Sequence, residues 1–220
     1  MSSSRLRLLL VFAMVAGCSD GGDGDAPELP EASLPGVYAG VFPCEGCPGI
    51  ASTLWLRPDY SYFFRQQYAA DDALEATEAY SLGRWSLVTG ARAIELSGAG
   101  PRRVFAVRGD DELLMRTDSD LEHRLTRDPT AAAFAAPIRL TGLMRVRGNS
   151  VSFTECLTGL AAPVSKNGEF ARFQHQYRSV GRSSEPTFVE FEGRFSWADD
   201  GAPKLITIER FITVKENGTC

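Results

Sequence analysis

Cys44 and Cys47 stand in a Cys-x-x-Cys spacing within the stretch FPCEGCPGI, in a chain that has five cysteines. Cysteines so spaced can exchange thiols and disulfides, bind a soft metal, or close a tight turn as a local disulfide. A redox-active thiol pair needs a lowered pKa, which a helix N-terminus usually supplies. Pro48 and Gly49 follow instead, and then a strand pattern, so the sequence argues against catalytic thiols.

Metal binding by Cys44 and Cys47 is limited by the shortage of further ligands. A structural zinc site takes four ligands, and the two histidines, His123 and His175, lie far away in the sequence and are typical surface residues. Copper(I) is different, because two or three sulfur ligands can satisfy it. A copper(I) site and a plain disulfide therefore both stay open for this pair.

Cys156 and Cys220 both fall in residues 138–220, which form a separate predicted domain. They are the only cysteines there, so the domain division favours pairing Cys44 with Cys47 and Cys156 with Cys220. Closing a loop of about 65 residues stabilises a domain by about 4 kcal/mol in the chain-entropy model. The plain interpretation of this pair is a structural disulfide. No Ser-His-Asp order, nucleophile elbow or phosphate loop stands out elsewhere, and we predict no enzyme.

The fifth cysteine, Cys18, closes a segment with the layout of a secretory signal. Residues 1–17 have a short positive head and then a run of about nine apolar residues, too short to span a bilayer. The sequence Val-Ala-Gly-Cys at its end resembles the bacterial lipoprotein signal, in which the cysteine is lipidated and becomes the first residue. An ordinary cleavage site with an incidental cysteine is the alternative. The resemblance implies a lipid anchor at Cys18, and Ser19 favours the outer membrane, with the protein facing the periplasm.

The chain is acidic, with a formal net charge of −5 at pH 7. Such a charge offers no electrostatic footprint for nucleic acid. Residues 18–35 carry five acids and no base, with many Gly and Pro, and are typical of a flexible tether. In the oxidising periplasm, cysteines are expected to pair.

Residues 36–127 contain seven short segments rich in aromatic and β-branched residues, separated by turn residues. Evenly spaced short strands without helices predict a small antiparallel barrel. We expect the aromatic cluster Tyr60, Tyr62, Phe63 and Phe64 to belong to its core. Residues 128–137 are predicted to be a linker, although this Ala-rich run could also be a short helix.

Residues 138–220 show a different order: three strands, a helix and two strands. Phe170, Phe173, Tyr177 and Val180 mark the helix by their spacing. This is the element order of a five-stranded OB-type barrel. A mixed α+β sheet has the same order and stays as the alternative.

Several motifs resemble those of the NlpE family of copper-homeostasis and envelope-stress lipoproteins. The most specific is Y-x-G-x-x-P-C-x-x-C-x-G-I at residues 38–50, and Gly83-Arg84-Trp85 follows in the same domain. The second domain adds LTGLM at 140–144 and FTEC at 153–156, ahead of Cys220 at the C-terminus. The family often has an acid just before the second cysteine, where this chain has Gly46.

The resemblance implies a lipocalin-like barrel followed by an OB-fold. It also implies a non-catalytic sensor and adaptor in copper tolerance and envelope stress, with copper(I) at Cys44 and Cys47. It further implies that failure to form Cys156–Cys220 reports faulty periplasmic oxidation to a stress sensor kinase of the inner membrane. Two other functions stay open: a binding module for a small ligand in the first barrel, and a thiol-disulfide redox protein.

Overall fold

The computed structural model describes residues 31–68, 77–118, 121–130, 134, 136–180, 185–215 and 218–220. The signal segment, Cys18 and most of the tether lie outside these residues, so the lipid anchor stays a prediction. Within the described ranges, no helix has both the length and the apolar character needed to cross a membrane.

The first domain is a closed barrel of eight strands, in which each strand pairs antiparallel with the next and β8 returns to β1. The strands are β1 Gly36–Phe42, β2 Ile50–Leu56, β3 Ser61–Tyr68, β4 Thr77–Leu87, β5 Ala93–Gly98, β6 Arg103–Arg108, β7 Glu112–Met115 and β8 His123–Arg127. The predicted small antiparallel barrel is confirmed.

Strand β8 is absent from the sequence-based prediction, which has seven strands in this domain. Its sequence, HRLTR, contains a single large apolar residue, Leu125, and this side chain is fully buried in the barrel. A short polar strand gives almost no periodic signal. Pairing of Tyr38 and Ala39 of β1 with Arg127 and Thr126 of β8 closes the sheet, so neither strand is left as an open edge.

The second domain is a closed barrel of five strands with one helix. Its elements are β9 Ile138–Arg147, β10 Ser150–Glu155, β11 Ala161–Gly168, α1 Phe170–Val180, β12 Thr187–Trp197 and β13 Pro203–Lys215. The strands close in the order β10-β11-β13-β12-β9, with β11 and β13 parallel and the other pairs antiparallel. The OB-type barrel is confirmed and the open mixed sheet is wrong, because the sheet closes on itself.

Helix α1 covers one end of this barrel through Phe170, Phe173 and Tyr177, which are buried. Just before the helix, the Glu169 carboxylate accepts a hydrogen bond from the Phe211 amide at 2.6 Å and so ties the helix start to β13. This hydrogen bond lowers the pKa of Glu169. At Gly142 in β9, a Cβ atom would lie 2.5 Å from the Phe153 ring, so the motif LTGLM requires glycine there.

The linker expected at 128–137 is described at residues 128–130, 134, 136 and 137, and none of these is helical. Phe134 is its anchor, because the Phe134 carbonyl accepts a hydrogen bond from the Trp197 indole at 3.0 Å. The linker therefore contacts the second barrel directly.

Candidate functional site

Cys44 and Cys47 form a disulfide in the loop between β1 and β2, with Cα atoms 5.6 Å apart. Gly46 inside this loop has a φ of +75°, which glycine adopts without strain. Glycine at this position therefore serves the turn. Strand β2 begins at Ile50, so a strand and not a helix follows the two sulfurs, and the loop lacks the usual cause of a reactive thiol there.

The loop lies at the end of the first barrel where β8 begins. The rings of Phe42 and His123 contact each other, with centroids 4.9 Å apart, and Met115 is the cross-strand partner of His123. An imidazole and a thioether, which copper(I) accepts, thus lie at the same barrel end as the cysteine loop. His175, by contrast, is exposed on α1 in the other domain.

The oxidised loop does not fit a metal ion. Disulfide sulfurs are not thiolates, and metal ligation by cysteine needs the thiolate. Across the described parts of the chain, no group of three or more His, Cys, Asp or Glu side chains could hold a metal ion. A copper site at Cys44 and Cys47 would require prior reduction of their disulfide.

Cys156 and Cys220 form the second disulfide, which joins the end of β10 to the C-terminus across 64 residues of sequence. Their Cα atoms are 5.1 Å apart. The C-terminal segment lies against β12: a Cβ atom placed on Gly218 would be 2.4 Å from the Phe188 Cβ. The disulfide therefore ties the loop after β10 to the C-terminal segment, which packs on β12.

The loop after β10 is a tight turn organised by Glu155, which is 1% exposed. One oxygen of its carboxylate accepts hydrogen bonds from the Leu157 amide and from the amide and hydroxyl of Thr158, at 2.9, 2.7 and 2.6 Å. The other oxygen, Oε1, is buried without a partner in the described residues. The Cys156 amide donates to the Thr141 carbonyl of β9. A buried carboxylate thus fixes the backbone around Cys156.

The two barrels pack against each other through aromatic side chains. Trp55 and Phe63 lie on the outer face of the first barrel, and their ring centroids are 4.9 and 5.5 Å from that of Trp197 in the second. Phe63 also contacts Phe195 and Phe134. Phe63 is 2% exposed although it points away from its own barrel. This part of the interface is therefore aromatic.

Arg57 lies in the middle of this interface and is 3% exposed. The central carbon of its guanidinium lies 4.8 and 4.4 Å from the ring centroids of Trp55 and Trp197, and these two rings meet each other edge to face. Nη1 donates to the Gly201 carbonyl of the second barrel at 2.9 Å, and Nη2 pairs with Asp59 at 3.0 Å. Arg57 of the first barrel thus donates a hydrogen bond to the second barrel and also makes a cation–π contact with it.

The Asp59 carboxylate completes the Arg57 network within the first barrel. Burial raises the pKa of Asp59, but its hydrogen bonds with Arg57 and Ser61 outweigh this effect and hold the pKa below its ordinary value. These two partners flank a three-residue hairpin turn at residues 58–60, in which Tyr60 takes a φ of 63°. The turn holds Arg57 and Asp59 at the barrel end that faces the second domain.

A second polar contact joins the barrels at the turn that carries Cys156. Arg84 Nη1 of β4 donates to the Thr158 carbonyl at 2.8 Å. Arg84 is held in place by the Asp59 carbonyl, to which Nη2 donates at 3.2 Å. The Glu155 turn therefore contacts both the C-terminal disulfide and the first barrel.

The expectation that Tyr60, Tyr62, Phe63 and Phe64 form one core is partly wrong. Tyr62 and Phe64 point into the first barrel, whereas Phe63 points to the second barrel and Tyr60 is 39% exposed. The interior holds large side chains that are at most 2% exposed: Tyr38, Phe42, Tyr62, Phe64, Trp85 and Phe105. A filled interior counts against a small-ligand site in the first barrel.

The interface residues Arg57, Arg84 and Trp197 are absent from the sequence-based site prediction. One signal for the interface is present in the sequence: the run Tyr62-Phe63-Phe64 puts aromatics on both faces of β3. A strand with both faces apolar is buried on both sides. In a barrel of this size, that indicates a partner outside the barrel wall.

Comparison with known proteins gives the family. The model of the NlpE N-terminal domain matches residues 38–124, and the model of the NlpE C-terminal OB domain matches residues 134–220. The chain is similar to lipoprotein NlpE of Escherichia coli K12, with 27% identity over 213 residues, covering 91% of this chain and 88% of that protein.

Two solved structures are also similar. The crystal structure of the Cpx pathway activator NlpE from Escherichia coli is 24% identical and matches 85% of this chain and 98% of its own, with a TM-score of 0.34. A protein described as a lipoprotein from Shewanella oneidensis is 28% identical and matches 45% of this chain and 94% of its own, with a TM-score of 0.36. With both domain families matched in order along one chain, this protein belongs to the NlpE family.

Proposed function

We propose that this protein is a lipid-anchored, periplasm-facing sensor and adaptor of the outer membrane that activates an envelope-stress response. The observation that carries the proposal is the ordered match to both NlpE domains, in a chain similar to a protein described as a Cpx pathway activator. The lipoprotein-type sequence ending at Cys18 supports the anchor.

The mechanism is interaction and not catalysis, with the state of the Cys156–Cys220 disulfide as the input. Formation of this disulfide releases two protons and passes two electrons to a disulfide-bearing oxidant protein of the periplasm. A protein in which the two thiols persist signals that this oxidation has failed. The partner is a sensor kinase of the inner membrane. The acidic tether is too short to cross the periplasm, so the signal comes from molecules that have not reached the outer membrane.

The experiment is a stress-reporter assay in cells that lack their own NlpE. The double variant Cys156→Ser/Cys220→Ser should raise the reporter several-fold at equal protein level. The matched control, Cys44→Ser/Cys47→Ser, removes the other disulfide and should leave the reporter near the wild-type value. Equal reporter signals from wild type and the first variant, with both proteins present in the envelope, would remove the redox-sensing proposal.

Copper(I) binding is a second candidate function of the first barrel, after reduction of Cys44–Cys47. The observation that favours it is the position of His123 and Met115 at the same barrel end as the loop. Two thiolates with one of these side chains give the two or three soft ligands that copper(I) accepts.

Titration of the reduced protein with copper(I), against a coloured chelator of known affinity, tests this candidate. Cys44→Ser/Cys47→Ser should abolish binding, whereas His175→Ala should leave it unchanged. Undiminished binding by the double variant would refute a site at this loop.

A further inference from the structure

The Glu155–Leu160 turn is shared by three features of the fold. Its residue Cys156 carries the disulfide to the C-terminus. Its first residue, Glu155, fixes the Leu157 and Thr158 amides from inside the domain. The Thr158 carbonyl accepts the hydrogen bond from Arg84 of the first barrel. The disulfide and the barrel interface are thus two residues apart in one tight turn.

We propose that the Cys156–Cys220 disulfide strengthens the docking of the two barrels on each other, and that its reduction raises the population of undocked molecules. The proposal rests on the function proposed above and says how the redox state of the disulfide changes the shape of the protein. This change in shape is tested on the purified protein.

The coupling follows from what the disulfide fixes. Cys220 belongs to the segment that packs on Phe188 of β12, so the bond holds the start of the turn against a regular strand. Without it, the turn is held by the hydrogen bonds to Glu155 Oε2 and by the one from the Cys156 amide to the Thr141 carbonyl. The other oxygen, Glu155 Oε1, is buried without a partner in the described chain. An unsatisfied buried oxygen favours rearrangement toward water. A shift of the turn moves the Thr158 carbonyl away from Arg84.

Release of the barrels exposes an apolar face of Trp55 and Phe63 on the first barrel and Trp197 on the second. These side chains are covered in the docked arrangement by ring contacts of about 5 Å. A newly exposed aromatic patch is the kind of surface that binds another protein. Undocking would therefore expose aromatic surface on both barrels at once.

The redox step balances as thiol–disulfide exchange with a dithiol. A thiolate of the dithiol attacks one sulfur of Cys156–Cys220, breaks the bond between the two cysteines, and forms a mixed disulfide while the other cysteine leaves as a thiolate. The second thiolate of the dithiol then attacks the dithiol's own sulfur in the mixed disulfide, and the remaining cysteine leaves as a thiolate. Cys156 and Cys220 gain two electrons and two protons, and the dithiol becomes a disulfide.

Indole N–H resonances measure docking directly, because the chain has three tryptophans. Trp55 and Trp197 face each other across the interface, whereas Trp85 lies in the core of the first barrel and reports whether that barrel is folded. The sample is the full chain with Cys18→Ser, labelled with ¹⁵N. In Cys156→Ser/Cys220→Ser, Trp55 and Trp197 should show an undocked population at least about tenfold above wild type, the factor that one hydrogen bond of about 1.4 kcal/mol represents.

The matched control is Cys44→Ser/Cys47→Ser, which removes the other disulfide and should leave all three resonances in place. Unchanged Trp55 and Trp197 resonances in Cys156→Ser/Cys220→Ser would overturn the proposal. Two resonances for each of these indoles in the oxidised wild type, in equal amounts, would overturn it as well.

Arg84→Gln tests the same proposal when the serine variant fails to fold. It keeps both disulfides and removes the contact with the Thr158 carbonyl, so the undocked population should rise. The control Arg194→Gln removes an exposed arginine that pairs with Glu209 within the second barrel and should change nothing. A fully docked Arg84→Gln would overturn the coupling. These spectra do not depend on signalling, so a failed reporter assay with released barrels would refute the proposed function alone.

Discussion

Replacing Arg57 by methionine should weaken the interface between the barrels more than any other single change to a charged residue of the described chain. The methionine keeps most of the length of the side chain and removes its charge. Arg57 makes two contacts with the second barrel: the hydrogen bond to the Gly201 carbonyl at 2.9 Å and the stacking on Trp197 at 4.4 Å. Its other contacts, with Ser61 and Asp59, lie within the first barrel.

The expected loss of docking free energy follows from these two contacts. A hydrogen bond from a charged donor contributes about 1.5–3 kcal/mol. A desolvated cation–π contact contributes about 0.5–2 kcal/mol. Since these values are not strictly additive, we expect Arg57→Met to make docking of the barrels less favourable by about 2–4 kcal/mol.

Urea unfolding followed by circular dichroism and tryptophan fluorescence measures this loss. The wild type should unfold in one transition, because docked barrels stabilise each other, and Arg57→Met should show two separate transitions at lower urea concentrations. The control is Arg194→Met, whose arginine is half exposed and pairs with Glu209 within the second barrel. It should change the free energy of unfolding by less than about 1 kcal/mol. Indistinguishable curves for Arg57→Met and Arg194→Met would refute the reasoning about the interface.

Three further predictions follow from the same structure. Phe64→Ala should lower the free energy of unfolding of the first barrel by about 3–5 kcal/mol, whereas Phe63→Ala should mainly raise the undocked population in the indole spectrum; the reverse result would contradict the assigned strand faces. Because the pKa of Asp59 is lowered in the folded protein, its contribution to stability is complete above its ordinary pKa of 3.8 and disappears as the pH falls through the lower folded value. Unfolding curves of wild type and Asp59→Asn should therefore converge in strongly acidic buffer, and a constant difference down to pH 2 would exclude this role. Cys18→Ser should move the protein from the membrane fraction to the soluble periplasmic fraction, and continued membrane association would rule out the lipid anchor.

The strands of the first barrel were predictable where segments rich in aromatic and β-branched residues are separated by turn residues. The stretch GVYAGVF coincides with β1, because both faces of that strand carry residues that favour extended backbone. Strand β8 was not predictable, because HRLTR owes its conformation to pairing with β1 and β7 and not to its own composition. Tertiary pairing overrides local preference in such short segments.

The pairing of the cysteines can be predicted from the domain in which each one lies, but the contacts around each disulfide cannot. Nothing local in the sequence tells that Glu155 is buried under the turn that carries Cys156, or that Arg84 reaches this turn from 74 residues away. The same holds for Arg57, which looks like a surface residue beside a Pro-Asp turn. Contacts between domains depend on the relative placement of two folded units, and no periodicity within either unit encodes it.

The two disulfides differ in what each of them restrains. Cys44–Cys47 closes a turn of four residues at the far end of the first barrel, where Glu45, Gly46 and Cys47 are exposed. Breaking it changes a loop that the described structure connects to no other domain. Cys156–Cys220 fixes a turn whose backbone contacts the first barrel, so breaking it changes a surface between domains. A redox signal that must alter the shape of the whole protein is therefore carried by the second disulfide, and the first is free to serve local chemistry such as metal capture.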